Sequence, residues 1–178
     1  MLESPAEYIS NHHITGWYHA CQEYTLETVF AFADSDFALL TKQLQWPAYF
    51  VKDYVKFLTT SRGSVAHSAA EITEIVKQIA HFRGEIEGGI GVRQFEKLVE
   101  NSEQRYFVLN GQPFFADNHI PAIVSDIVNK ISTPFFTIDV VKNSQGELRL
   151  IEIGDGQVSD IKEWAIDKLV ALFCAYNN

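Results

Sequence analysis

An α+β chain of two small lobes is what the sequence predicts, on three observations. Apolar patterns of period 2 and period 3.6 succeed one another as strand, helix and strand, and then as hairpin, helix, hairpin and helix. Asn110-Gly111 and Asn143-Ser144-Gln145-Gly146 each separate a pair of runs rich in β-branched and aromatic residues, which marks two hairpins. The 178 residues, 47% of them hydrophobic, suffice for one domain with a sizeable core or for two lobes sharing a cleft.

Taken in order, residues 1–24 hold Pro5, His12, His13, Gly16 and Trp17 without clear periodicity and read as a loosely organised lead-in with one short helix. His12 and His13 are adjacent, so their side chains diverge on any regular element, which argues against a joint metal site. From Thr25 the spacing of Leu26, Val29 and Phe30 predicts a helix, and Ser35 caps a second one through Leu44 that Pro47 stops.

Residues 48–58 alternate. Tyr49, Val51, Val55 and Phe57 fall on one face, Lys52, Tyr54 and Lys56 on the other. Two lysines on a strand face read either as exposed surface or as a pair of cations over phosphates, with Ser61-Arg62-Gly63-Ser64 beyond them as a loop offering backbone donors. No Walker-type glycine loop is present.

Ser68 to Phe82 is the clearest helix, with a Ser68/Glu71 capping box, an inward stripe of Ile72, Ile75, Val76 and Ile79, and Gly84 to close it. The glycines at 84, 88, 89 and 91 read as a turn leading into a strand over Ile90 to Phe95. In the Asn110-Gly111 hairpin Arg105 shares an apolar face with Phe107 and Leu109; it pairs with a carboxylate or aims at a phosphate. Pro121 opens a helix through Lys130, and a last helix runs from Ile161 to Tyr176 with Ile161, Trp164 and Leu169 inward.

The late hairpin, PFFTIDVVKNSQGELRLIEIGD, carries the sharpest signal. A turn centred on Gln145-Gly146 sets Val140 opposite Ile151, Ile138 opposite Ile153, and Asp139 opposite Glu152. Like charges so opposed lie roughly 5 Å apart at Cβ and repel. The pair reads as a solvated face or as ligands for a hard divalent ion, with Asp155 nearby as a third.

Bulk charge and composition narrow the partners. Lys and Arg total 14 against 23 Asp and Glu, and a net charge of -9 argues against nucleic acid. Cys21 and Cys174 lie far apart with no metal or disulfide spacing, which suits a reducing cytoplasm. No apolar run approaches the roughly 20 residues of a membrane helix, and MLESPAEYIS lacks the regions of a signal peptide.

The element order with FVKDYVK, GVRQFEKL, EQRYFVLNG and FFTIDVVKNSQGELRLIEIGDGQVSD resembles the ATP-grasp fold, specifically the clade characterised by one arginine and two lysines. A weaker likeness runs to eukaryotic cell-division-cycle relatives that help assemble a translation initiation factor. The resemblance covers about residues 47–160. It implies a first lobe and hinge over 47–97, a second lobe over 98–178, and residues 1–46 as a helical lead-in, a remnant of the preceding domain such enzymes usually carry.

It also implies antiparallel sheets enclosing a nucleotide cleft, with ATP and Mg2+ as cofactors. Lys52 and Lys56 would contact phosphates. Arg93, Gln94, Phe95 and Glu96 would form a hinge whose backbone reads adenine, with Glu96 reaching the ribose. Arg105 would approach the phosphates from the second lobe, making Arg105 and Lys56 the catalytic cations. Asp139 and Glu152 would hold the metal. Where many members carry Asn two positions after the second metal carboxylate, this chain has Gly154, so Asp155 is the substitute third ligand. The implied activity joins a carboxylate and an amine through an acyl phosphate; the alternative is a non-catalytic ATP-binding assembly factor, or a module that needs a protein partner or a second copy of itself.

Overall fold

Two four-stranded antiparallel sheets carry the chain in the computed structural model, which describes residues 4–55, 63–117, 119–162 and 164–176. In the first sheet, β1 (Thr28–Ala31), β2 (Tyr49–Asp53), β3 (Val65–Ala66) and β4 (Ile90–Gln94) lie in the order β1-β4-β2-β3. In the second, β5 (Gln104–Leu109), β6 (Gln112–Phe114), β7 (Phe135–Lys142) and β8 (Leu148–Asp155) lie in the order β6-β5-β7-β8.

The lead-in is not loose. It forms α1 (Pro5–His12) and α2 (Ile14–Cys21). Ser4 and Glu7 make a capping box at the start of α1, with Pro5 in its first turn. The next corner is tight: a Cβ on Gly16 would fall 2.2 Å from the Ser10 carbonyl oxygen, so glycine lets the second helix fold back on the first. α2 then drives Ile14, Trp17, Tyr18 and Cys21 into the core of the second sheet beside Tyr106, Phe136, Ile138 and Leu150.

The helix expected from Thr25 is a strand instead. β1 pairs with β4 from Thr28↔Arg93 to Ala31↔Ile90, and Thr28 N donates to Tyr18 Oη at 2.8 Å. The i, i+3, i+4 spacing of Leu26, Val29 and Phe30 matched a helix by coincidence, and the β-branched Thr28 and Val29 settle against the open edge of β4. The following helix, α3 (Phe37–Leu44), is capped by Asp36 rather than Ser35: Asp36 Oδ1 accepts from Leu39 N at 2.9 Å, while Ser35 Oγ accepts from Phe32 N. It ends at Gln45 in the left-handed region, ahead of Pro47.

β2 stops at Asp53, whose carboxylate accepts from Val55 N at 2.9 Å and turns the chain. The rest of the predicted alternation, with Lys56, Phe57, Ser61 and Arg62, lies outside the described residues. α4 (Ala69–Arg83) is capped by Ser68 as expected, although Glu71 reaches back to His67 N at 2.6 Å instead of to Ser68 N. α5 (Ala122–Val128) follows Pro121.

α6 (Ile166–Tyr176) begins five residues later than the sequence suggested. The segment before it is spent on other contacts: Trp164, 5% exposed, donates from Nε1 to Arg105 O at 3.0 Å, and Ile161 is left 37% exposed. No helix among the described residues is long and apolar enough to cross a membrane.

The late hairpin keeps Ile138 opposite Ile153 and Asp139 opposite Glu152, but Val140 faces Leu150. A bulge leaves Ile151 as the extra residue of β8, which bends the strand and frees the Ile151 carbonyl from the ladder.

Trp17 is 1% exposed and belongs to the second sheet's core. Trp17→Ala is expected to lower unfolding stability by about 4 kcal/mol in urea titrations, as for other large-to-alanine changes in cores. A loss below about 1 kcal/mol would mean that the N-terminal helices are not integral to the fold.

Candidate functional site

β2 and β4 turn two cations toward the second lobe. Lys52 is 4% exposed, and its Nζ donates to Glu152 Oε1 at 3.4 Å across the seam between the sheets. Burial pushes its pKa down, against the pull of Glu152. Arg93, also 4% exposed, donates from Nε to Thr28 Oγ1 at 3.2 Å and from Nη1 to the bulged Ile151 carbonyl at 3.1 Å. Its Nη2 is buried with no hydrogen-bond partner among the described residues. Burial brings the Arg93 guanidinium down to about 10, with Glu152 opposing.

The second sheet supplies the acids and a third cation. Arg105 stands opposite Asp139 in the β5–β7 register and grips it with two bonds, Nε to Oδ1 at 2.7 Å and Nη2 to Oδ2 at 2.5 Å. Its Nη1 donates to both the carbonyl and Oδ1 of Asp160, each at 2.9 Å. Burial works to lower the Arg105 pKa, and the hydrogen bond and charge of Asp139 outweigh it, so the net direction is upward.

Lys162 completes this cluster, and the sequence reading passed over it. Its Nζ donates to Asp139 Oδ2 at 3.0 Å and to Glu103 Oε1 at 2.5 Å. Burial would depress the ammonium; the neighbouring Asp139 and Glu103 raise it instead. The signal was weak, since a lysine in a loop ahead of a helix has no periodicity to place it.

Two cavities flank the seam. One, of about 320 Å³, is lined by the predicted hinge residues Arg93, Gln94, Phe95 and Glu96 together with Phe50 and Ile151. Within that hinge Gln94 N already donates to Glu27 O at 2.8 Å and Phe95 N to Ala48 O at 3.1 Å. The Glu96 carboxylate accepts from Asn143 Nδ2 at 2.9 Å and Arg149 Nε at 3.2 Å, which ties the hinge to the late hairpin. The other cavity, of about 210 Å³, is lined by His12, Val55, Arg105, Glu152, Gly154 and Ser159 among others.

His12 is a second residue that sequence reasoning set aside. It diverges from His13 as expected: His12 enters this cavity, while His13 Nε2 lies 3.3 Å from Glu87 Oε1. Burial pushes the His12 pKa down and favours the neutral ring.

Asp139 and Glu152 are therefore brought face to face, whereas Asp155 is used elsewhere. Its Oδ1 accepts from Gln157 N at 2.6 Å and caps the turn after β8. Among the described residues no three acidic, histidine or cysteine side chains gather as a metal-ligand set. Gly154 sits opposite Thr137, and a Cβ there would meet Thr137 Oγ1 at 2.8 Å and Ser159 Oγ at 2.9 Å. Those hydroxyls fill the space that an asparagine would occupy.

The model of an ATP-grasp domain family, the third family of the clade characterised by one arginine and two lysines, matches residues 14–173. No curated protein matches the sequence. The solved structure of Cdc123 from Schizosaccharomyces pombe superposes with a TM-score of 0.68 at 13% identity, covering 96% of this chain and 94% of that one. The D-alanine-D-alanine ligase from Coxiella burnetii gives 0.56 at 15% identity, over 81% of this chain and 47% of the ligase. The ATP-grasp ligase PsnB, solved with its minimal precursor, Mg and ADP, gives 0.59 at 8% identity, over 92% and 55%. The likeness is thus end to end with the first and spans about half the length of the two ligases.

Asp139 is 2% exposed and answers two cations. Asp139→Asn should lower the stability of the ligand-free protein by about 3 kcal/mol in denaturant titration, because it leaves Arg105 and Lys162 without their shared anion. A neutral outcome would mean that the pairing is not held in solution.

Proposed function

Because the chain belongs to the ATP-grasp domain family, within the clade of one arginine and two lysines, we propose that it is an ATP- and Mg2+-dependent ligase that joins a carboxylate to an amine through an acyl phosphate. One observation carries the reading: first-lobe cations and second-lobe carboxylates meet at a single seam, through Lys52 with Glu152 and Arg93 with the β8 bulge.

The lobes are taken as 47–97 and 98–178, and their seam offers places for both ends of a nucleotide. The mostly apolar cavity at the hinge suits a flat heterocycle, and Glu96 would exchange one of its present partners for ribose. Lys52, Lys56, Arg93 and Arg105 would hold the phosphates, with Arg93 Nη2 already unengaged among the described residues. Hard carboxylate oxygens on Asp139 and Glu152 would hold a magnesium ion, which would supply charge neutralisation at the transferring phosphoryl group. Asp155 would join them only by giving up the turn it caps.

The chemistry then asks the protein for alignment and charge. A substrate carboxylate oxygen attacks the terminal phosphorus, the bond to the bridging oxygen breaks, and ADP leaves. The amine nitrogen attacks the acyl carbon, the acyl C–O bond breaks, phosphate departs and the nitrogen's proton passes to water. Arg105 and Lys56 are the cations best placed by sequence to stabilise the charge in flight.

A second reading is favoured by the end-to-end superposition with Cdc123, against half-length matches to the ligases. In it the chain binds ATP in the cytoplasm as an assembly factor, or works as an ATP-grasp module only with a protein partner or a second copy of itself.

ATP with Mg2+ at a hundredfold over its Kd should stabilise the protein by about 2.7 kcal/mol, which for a chain of this size raises Tm by about 5–10 °C. Asp139→Asn combined with Glu152→Gln should erase that rise, each protein being compared with its own ligand-free baseline; a rise that survives removes the metal assignment. ADP release that depends on added amino acids and amines favours the ligase. No release, together with a stable protein partner, favours the assembly factor.

A further inference from the structure

We propose that Lys162 is a resident cation that competes with the divalent ion for Asp139 and so sets how tightly the site takes metal. This rests on the reading of Asp139 and Glu152 as the metal carboxylates, and it concerns a residue which that reading does not include.

The two oxygens of Asp139 are unequally used. Oδ1 accepts one bond, from Arg105 Nε at 2.7 Å, while Oδ2 accepts two, from Arg105 Nη2 at 2.5 Å and Lys162 Nζ at 3.0 Å. A magnesium ion bonds oxygen at about 2.1 Å, so an ion on Asp139 would stand roughly 5 Å from the Lys162 ammonium. Even with water-like screening, a charge of two beside a charge of one at that distance weakens binding roughly tenfold or more. One of the two side chains on Asp139 must give way.

Lys162 is the one built to move. Arg105 is fixed by its doubly bonded grip on Asp139, by Asp160 and by the Trp164 indole on its own carbonyl, and its side chain is 9% exposed. Lys162 sits in the loop between β8 and α6, its side chain 25% exposed, with a second carboxylate already in hand. That carboxylate, Glu103, is 46% exposed at its side chain and bonds the ammonium at 2.5 Å. When metal arrives, Lys162 passes wholly to Glu103; when it leaves, Lys162 returns and neutralises Asp139.

The test is Mn2+ titration of the full chain, followed by the EPR signal of the free ion, with and without ATP. Lys162→Met should bind Mn2+ about tenfold more tightly than wild type, and Lys162→Arg should stay near the wild-type value. Glu103→Gln should move the other way and weaken binding severalfold, because Lys162 then has only Asp139 to hold. A purely structural role for Lys162 would not give shifts of opposite sign in these two variants. Wild-type Mn2+ binding with no gain in Lys162→Met overturns this inference alone. No Mn2+ binding by wild type or by Lys162→Met, with or without ATP, overturns it together with the metal assignment.

Discussion

Strand register forces two carboxylates against each other in β7 and β8, and the structure around the seam is an answer to that repulsion. Asp139 and Glu152 are direct register partners, and like charges so placed destabilise a sheet unless something neutralises them. The neutralising groups come from different parts of the chain: Lys52 from the first sheet, Arg105 from the neighbouring strand, and Lys162 from the loop before α6. A buried acid without a partner is costly, so Asp139 is met by Arg105 and Lys162, while the partly exposed Glu152 is met by Lys52. The same pairing makes the seam a poor place for a lone anion or a lone cation.

The two sheets are joined by more than the chain between β4 and β5. α2 buries its apolar face in the second sheet's core, yet Ile14 N donates to Tyr54 O at 2.9 Å in the first lobe, and Tyr18 Oη receives Thr28 N from β1. Asn11, fully buried on α1, accepts from Thr133 Oγ1 at 3.0 Å in the second lobe. The N-terminal helices therefore strap the two sheets together, and Glu96 with Asn143 and Arg149 makes a second tie between them. Any opening of the seam has to flex both. His12 lies on the first of these helices and lines the cavity beside Glu152 and Arg105.

What the sequence made legible follows from how local the governing forces are. Alternation in β2, β4, β5, β7 and β8, the cap at Ser68 and the Asn110-Gly111 turn depend on near neighbours, and all of them were readable. The opposition of Asp139 and Glu152 was readable from apolar parity, although the register next to the turn runs one residue off and only the bulge at Ile151 restores it. β1 was not. The segment in which Leu26, Val29 and Phe30 have a helical spacing became a strand because β4, more than 50 positions away, offered an edge. The helices of the lead-in were hidden for a related reason: their apolar residues answer the second sheet and need no long amphipathic repeat. Lys162 and His12 reach the site through loop direction and helix docking, and no spacing rule encodes either.

The departure at Gly154 and the arrival of Lys162 belong to one packing choice. With no side chain at 154, Thr137 Oγ1 and Ser159 Oγ approach to 2.9 Å, and Ser159 in turn donates to Asp155 O at 2.8 Å. The chain after β8 is thereby stitched back onto β7, and the following residues are sent under Arg105, where Asp160 accepts the guanidinium and its Oδ1 also receives Lys162 N at 3.2 Å. An asparagine at 154 would push those hydroxyls apart and with them the loop that carries Lys162 to Asp139. The glycine at this position thus gives up an amide side chain and lets the loop bring an ammonium, that of Lys162, onto Asp139 a few residues later.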